Sequence, residues 1–236
     1  MKSKEVQSET LQTQVYEYLR EKIINGYIPP GQRLLEQKIS QETGISRSPI
    51  REAIRRLASS GLVDVNPHGG VRVYRATFDD FKHLYECRVS LEPTAARLAA
   101  IRMNEIQRAQ LNTLMYEMNG AVEKNDIENL KILGSRFHNM ILEGSGNPRL
   151  IQMMKQLYDL TQFYRKAVLN IPRRVQEGGY EHQAIWEAIR KREGELAEQS
   201  MKKHIESDFQ YYVSEYRNTS GENGSYELNE TETDDW

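Results

Sequence analysis

The chain is most informative first in what it lacks. Its 236 residues include a single cysteine, Cys87, which excludes an internal disulfide and makes a cysteine metal site or thiol relay untenable. No apolar run is long enough to span a bilayer, and the N-terminal stretch MKSKEVQSETLQTQ has no apolar h-region. Neither a signal peptide nor an anchor is therefore expected, and the cytoplasm is the expected compartment. The sequence also contains no H-E-x-x-H pair, no phosphate-cradling glycine loop and no nucleophile motif, so nothing in it favours an enzyme. Net charge is low too, at −2, within a composition of 38% hydrophobic and 28% charged residues that suits a soluble globular protein. That length fits two domains of ordinary size.

The small total conceals an asymmetry. Residues 1–76 hold 12 Lys+Arg against 8 Asp+Glu, or +4, so the rest of the chain carries −2 − 4 = −6. A cationic front on an acidic body points to a polyanionic partner for the front alone. Within that front, Leu11, Val15, Leu19 and Ile23 have helical spacing, and Asn-Gly-Tyr-Ile-Pro-Pro-Gly stops the helix. LLEQKISQETG predicts a short second helix ending at Gly44. The third follows after a tight turn, with Ser46 or Ser48 as its cap and Pro49 in its first turn. LVDVNPHGGVRVYRA alternates like a strand on both sides of a turn and predicts a small hairpin. Three helices and a hairpin make a winged helix-turn-helix, the N-terminal part of a mainly α fold.

In the third helix Arg47, Arg51 and Arg55 recur at every fourth position, while Ile50, Ala53, Ile54 and Leu57 take the opposite side. Set in a major groove, Arg47 and Arg51 would reach base edges, Ser48 would position the backbone, and Arg55 and Arg56 would meet phosphates. The hairpin tip, with His68 and Gly69, suits close approach to a minor groove. A solvated cationic face and an exposed turn are the plainer alternatives for these same residues.

Residues 11–75 resemble the DNA-binding domain of GntR-type bacterial transcription regulators, through I–NG–I–PG–L, SRSPIREA and L–GLV in unbroken order. The resemblance implies base reading by Arg47 and Arg51 and minor-groove contact at His68 and Gly69. Where some members carry a further DNA-contacting arginine at the start of the second helix, this chain has Gln37 beside Lys38. The body, from Phe78 to about Tyr216, resembles the all-helical effector-binding FCD domain of the FadR-like branch, through YECRVSLEPTAARLAA, RFHNMI and YEHQAIWEAI followed by SMKKHIESDF. The boundaries expected are 1–76 for the DNA-binding domain, 77–217 for an effector-binding and dimerisation domain, and 218–236 for a disordered acidic tail.

Caps at Thr77, Asn104, Asn125 with Asp126, and Asn147 with Pro148 predict an antiparallel bundle of six or seven helices, with Pro93 breaking or kinking its first. If REG at 192–194 is a turn between antiparallel helices, His182 and His204 stand level, each roughly 16 Å from it. His138 lies on another amphipathic helix, and three helices can bring three imidazoles to one ion. Ordinary hydrogen-bonded histidines are the alternative for each. The FCD resemblance implies that these three positions bind a divalent metal, zinc or nickel by the chemistry of nitrogen ligands, together with an Asp one turn before the first His. Here that position is Gly134, which removes an anionic ligand. It further implies that Arg88 grips an effector carboxylate, although an i,i+4 pair with Glu92 would also account for it. Tyr164 and Arg165 are further candidates for the same cavity.

The function expected is a ligand-responsive repressor, binding a palindromic operator on double-stranded DNA as a homodimer and released by a small organic acid. An effector-insensitive dimeric DNA-binding protein is the alternative. A metal-dependent hydrolase using Glu181 as base is a further one.

Overall fold

The computed structural model describes residues 10–66, 70–75, 77–168 and 172–220, without the side chains of 165–168, 172 and 215–220. The expected contacts at His68 and Gly69, and the side chain of Arg165, lie outside the described residues. Among these, no helix is long and apolar enough to cross a membrane. The chain divides into two compact units, one formed by the residues up to 76 together with 156–163, the other by 77–155 and the residues from 164 onward.

In the first unit, helix α1 (Leu11–Ile24) starts at an extended Thr10 whose side chain accepts from the Thr13 amide, and it buries Val15, Leu19 and Ile23 on one stripe. Helix α2 (Glu36–Thr43) ends at Gly44 in the left-handed conformation, φ 70°. That geometry is open to glycine at little cost, and it permits the tight turn into α3 (Arg47–Ser59). Ile50, Ala53, Ile54 and Leu57 of α3 close on the α1 stripe and on Leu34, Ile39, Leu62, Val63 and Val73 to form one core. Strands β2 (Val63–Asn66) and β3 (Gly70–Val73) pair antiparallel. A third strand, β1 (Arg33–Leu34), lies on the other edge of β3 with Arg33 opposite Arg72. Residues 156–163 join this unit: the Asp159 carboxylate accepts from the Tyr16 hydroxyl and from Arg20 Nε.

The second unit is helical. Helix α4 (Phe78–Arg102) is capped by Thr77, with Asp79 and Asp80 in its first turn. Of the break or kink expected at Pro93, the break does not occur, and α4 runs through it. An interior proline costs about 3 kcal/mol or more, and burial of the apolar Pro93, Ala95, Ala96, Ala99 and Ala100 along that stretch works against the cost. Helix α5 (Glu105–Glu123) opens on a full capping box between Asn104 and Gln107. Helices α6 (Ile127–Gly144), α7 (Pro148–Val168), α8 (Pro172–Arg190) and α9 (Gly194–Ser220) follow. Asp126 rather than Asn125 caps α6. Helix α9 continues through 218–220, where the tail was expected to begin; 221–236 lie outside the described residues.

Candidate functional site

Two constellations follow from these elements. The first is the outer face of α3. Because the apolar residues at 50, 53, 54 and 57 are drawn into the core, Arg47, Ser48, Arg51, Arg55 and Arg56 are all left exposed, as are Gln37 and Lys38 on α2. Arg51 Nε donates to both carboxylate oxygens of Glu36, at 3.0 and 2.9 Å. Arg55 Nη1 is 2.5 Å from Glu52. Arg56 differs: its guanidinium lies 4.0 Å from the Tyr16 ring centroid, a cation–π contact that fixes its position. Burial and the bond to Asp159 push the Tyr16 phenol up to about 12.

The Arg51 and Arg55 pairs are solvent-exposed. Such pairs contribute about 0–1 kcal/mol, so a phosphate or a base edge can displace the carboxylate at small cost. Sequence reasoning missed Glu36. It stands 15 positions from Arg51, and nothing in a periodic pattern announces that contact.

The second constellation joins α6, α8 and α9. Nε2 of His138, His182 and His204 form a triangle with every side 3.2 Å. The remaining ring nitrogens decide what that triangle can hold. His138 Nδ1 is 2.6 Å from Glu92 Oε2, and His204 Nδ1 is 2.6 Å from Glu181 Oε2. Burial alone would raise both carboxyls. Arg88 and His138 hold Glu92 far below the usual carboxylate range, and His204 and Arg174 lower Glu181. Ionised carboxylates only accept, so each Nδ1 carries the hydrogen, and in the neutral ring each Nε2 presents a lone pair. His182 Nδ1 faces Met118 Sδ at 3.3 Å, an acceptor as well. Three lone pairs at this separation repel unless a cation sits among them. Nitrogen ligands at about 2.0–2.1 Å from a tetrahedral zinc lie about 3.3 Å apart, so the triangle fits a small divalent ion.

Beyond the imidazoles lies a cavity lined by Gly134, Arg174, Gly178, His182, His204 and Asp208, among others. Asp208 Oδ2 is 4.0 Å from His204 Nε2. Arg88 does not line this cavity. It is fully buried and donates from Nε to Glu92 Oε1 at 2.6 Å, so the i,i+4 pair exists, but as an interior pair rather than a surface one. In this position Arg88 holds Glu92, which holds His138. Tyr164 is buried elsewhere in the unit, with its hydroxyl 3.4 Å from Thr77 O and its ring 5.4 Å from that of Phe81. Glu181 approaches His204 from Nδ1, on the far edge of the ring from the triangle, which is not where a base for a metal-bound water would stand. Arg174 and Asp208 were not foreseen, since each acquires its role only when α8 meets α9.

Residues 11–73 match the family model described as bacterial regulatory proteins of the gntR family, and residues 83–207 match the FCD domain. The chain is 30% identical over 200 residues to the HTH-type transcriptional regulator YdhC of Bacillus subtilis, covering 84% of this chain and 89% of that protein. It is 26% identical to the HTH-type transcriptional repressor RspR of Escherichia coli, over 82% of this chain and 85% of that one. The solved structure of E. coli McbR/YncC superposes with a TM-score of 0.75 at 23% identity, covering 89% of this chain and all of that one, which shows a shared fold. The matches are to transcription regulators and not to enzymes. With both models matched in order along it, this chain belongs to the GntR family of DNA-binding transcription regulators and carries an FCD domain.

Proposed function

We propose that this regulator is a cytoplasmic repressor that grips a palindromic operator as a homodimer and changes its grip according to what occupies the imidazole centre. On the DNA side, the exposed arginine face supports the reading. Arg47 and Arg51 would donate to guanine O6 and N7, Ser48 would fix the backbone, and Arg55 and Arg56 would meet phosphates. Gln37 and Lys38 are added from α2, and His68 and Gly69 are the minor-groove contacts that the family resemblance suggests. One short reading helix specifies few base pairs, so two copies on a twofold axis are needed to define a site.

On the sensing side, one observation carries the reading: the Nε2 atoms of three imidazoles converge at 3.2 Å, with carboxylates behind His138 and His204 and the Met118 sulfur behind His182. His138, His182 and His204 would hold zinc or nickel, both suited to imidazole. A divalent ion there supplies positive charge that can attract a carboxylate. Gly134 leaves that place open for an effector's own oxygen. The effector is accordingly a small organic acid; of the expected contacts, Arg88 is the one that the family resemblance suggests, and it acts on the centre through Glu92 and His138. An effector regulates only by binding the DNA-competent and DNA-free states unequally.

Fluorescence anisotropy with a palindrome from the regulator's own upstream region, against a scrambled duplex, tests the DNA half. Preference for the palindrome, with affinity falling linearly in log salt, is expected. Equal binding to both duplexes contradicts it. Calorimetry with organic acids, with and without zinc or nickel, tests the other half, and silence throughout favours the effector-insensitive alternative.

A further inference from the structure

The outer face of the small sheet gathers charge of one sign. Along β3 the side chains alternate, with Val71 and Val73 turned to the core of the first unit and Arg72 exposed between them. Arg33 of β1 lies directly opposite Arg72, and Leu34 opposite Val71. Arg33 and Arg72 therefore share the outer face, and Arg75, just past the end of β3, is exposed as well. Like charges directly opposite each other on neighbouring strands are destabilising. One of the two pairings that define β1 is of this kind, so the sheet carries a local cost that an anion on this face would remove.

These arginines are positioned but not neutralised. Arg72 Nη1 donates to the Gly31 carbonyl at 3.1 Å. Gly31 and Gly70 each adopt φ of 79°, which glycine takes at little cost, and the Cβ that each lacks would meet a guanidinium: that of Arg75 at Gly31, and that of Arg33, with Nε and Nη2 both 3.1 Å away, at Gly70. Among the described residues no carboxylate pairs with any of the three. Arg51 and Arg55 of α3, by contrast, each hold one. An anion reaching the sheet would have no carboxylate to displace.

We propose that Arg33, Arg72 and Arg75 form a second phosphate-binding surface, which takes the backbone of the duplex beside the segment that α3 reads. The inference rests on the DNA reading of α3 and adds a surface to it. Three exposed guanidinium groups spread along a sheet suit a repeated anion, and the duplex backbone offers phosphates at regular intervals. Chain continuity favours the same occupant: β1 is followed after one residue by α2, whose first residue, Glu36, holds Arg51. The arginine row thus adjoins the reading face. Contacts of this type fix register and add affinity without carrying sequence information.

The test is fluorescence anisotropy on the full chain across a salt series, with the palindrome and the scrambled duplex. The double variant Arg33→Ala, Arg72→Ala should weaken binding to both duplexes by the same factor, and the slope of log affinity against log salt should shrink by about 0.9 per phosphate lost, or about 2 in all. Arg33→Lys with Arg72→Lys keeps the charges and should keep the slope. Lys202→Ala, which removes one positive charge from the second unit, should leave it unchanged. An unaltered slope in the alanine variant overturns the proposal and leaves the reading of α3 standing. A slope lost equally in the lysine variant assigns the arginines to the sheet's own structure, and one lost equally in Lys202→Ala assigns the effect to overall charge; either result overturns the proposal. A native chain that binds neither duplex overturns this inference and the DNA reading together.

Discussion

Arg51 and Arg174 are both arginines held by carboxylates, and the difference between them separates the two units. Arg51 meets Glu36 with its side chain 56% exposed, whereas Arg174 meets Glu181 and Asp208 with its side chain 1% exposed. In water the first pair is weak and exchangeable, which suits the proposed DNA-binding face, where a phosphate or a base edge would replace the carboxylate. In the interior the charges cannot be separated without stranding one of them, so the second arrangement is rigid. The arginine face of α3 can exchange partners, whereas the carboxylates around the imidazole centre keep theirs.

The largest effect should come from the interior. His182→Ala removes one of three nitrogens and should lower zinc affinity by well over a hundredfold in competition with a chromophoric chelator. Glu92→Gln, which keeps the shape but removes the negative charge that faces both His138 and Arg88, should cost about 10–100-fold in the same assay. Arg88→Leu strands Glu92 in the interior and should destabilise the fold by about 3–5 kcal/mol in urea unfolding; a loss below about 1 kcal/mol would erase the contrast with the surface pairs. On the reading face, Arg51→Ala should cost about 1–3 kcal/mol on the specific duplex and relax preference at one base pair, whereas Arg56→Ala should weaken specific and scrambled DNA alike. Glu36→Gln should be smallest, within about 1 kcal/mol on stability by thermal unfolding.

The Tyr16 phenol gives a pH contrast. Its folded-state value lies above its unfolded one, so its contribution is present in full below about pH 10. It should fade as pH rises toward 12, a slope that Tyr16→Phe removes.

Much of this was legible in the chain because it is local. The α1 stripe, the Gly44 turn, the caps at Thr77 and Asn104 and the level placement of His182 and His204 all depend on spacings within one or two elements. What the chain did not disclose is non-local. Strand β1 is two residues long and exists only through pairing with Val71 and Arg72, so no alternation could reveal it. The break expected at Pro93 followed from local cost, and tertiary burial outweighed it. Glu92 reaches His138 across 46 positions and Arg174 reaches Asp208 across 34. The spacing of Arg88 and Glu92 suggested their pair, but not that it would be sealed inside.

The central claim is that the occupancy of the imidazole centre governs the arginine face. Its most direct test is anisotropy on one palindromic duplex at fixed salt, with the protein zinc-loaded and then stripped by chelator. The account predicts affinities that differ by at least several-fold, with zinc binding shifted by the same factor when DNA is present. Identical DNA affinity in the two states, with zinc shown to be bound in one and absent in the other, would contradict it.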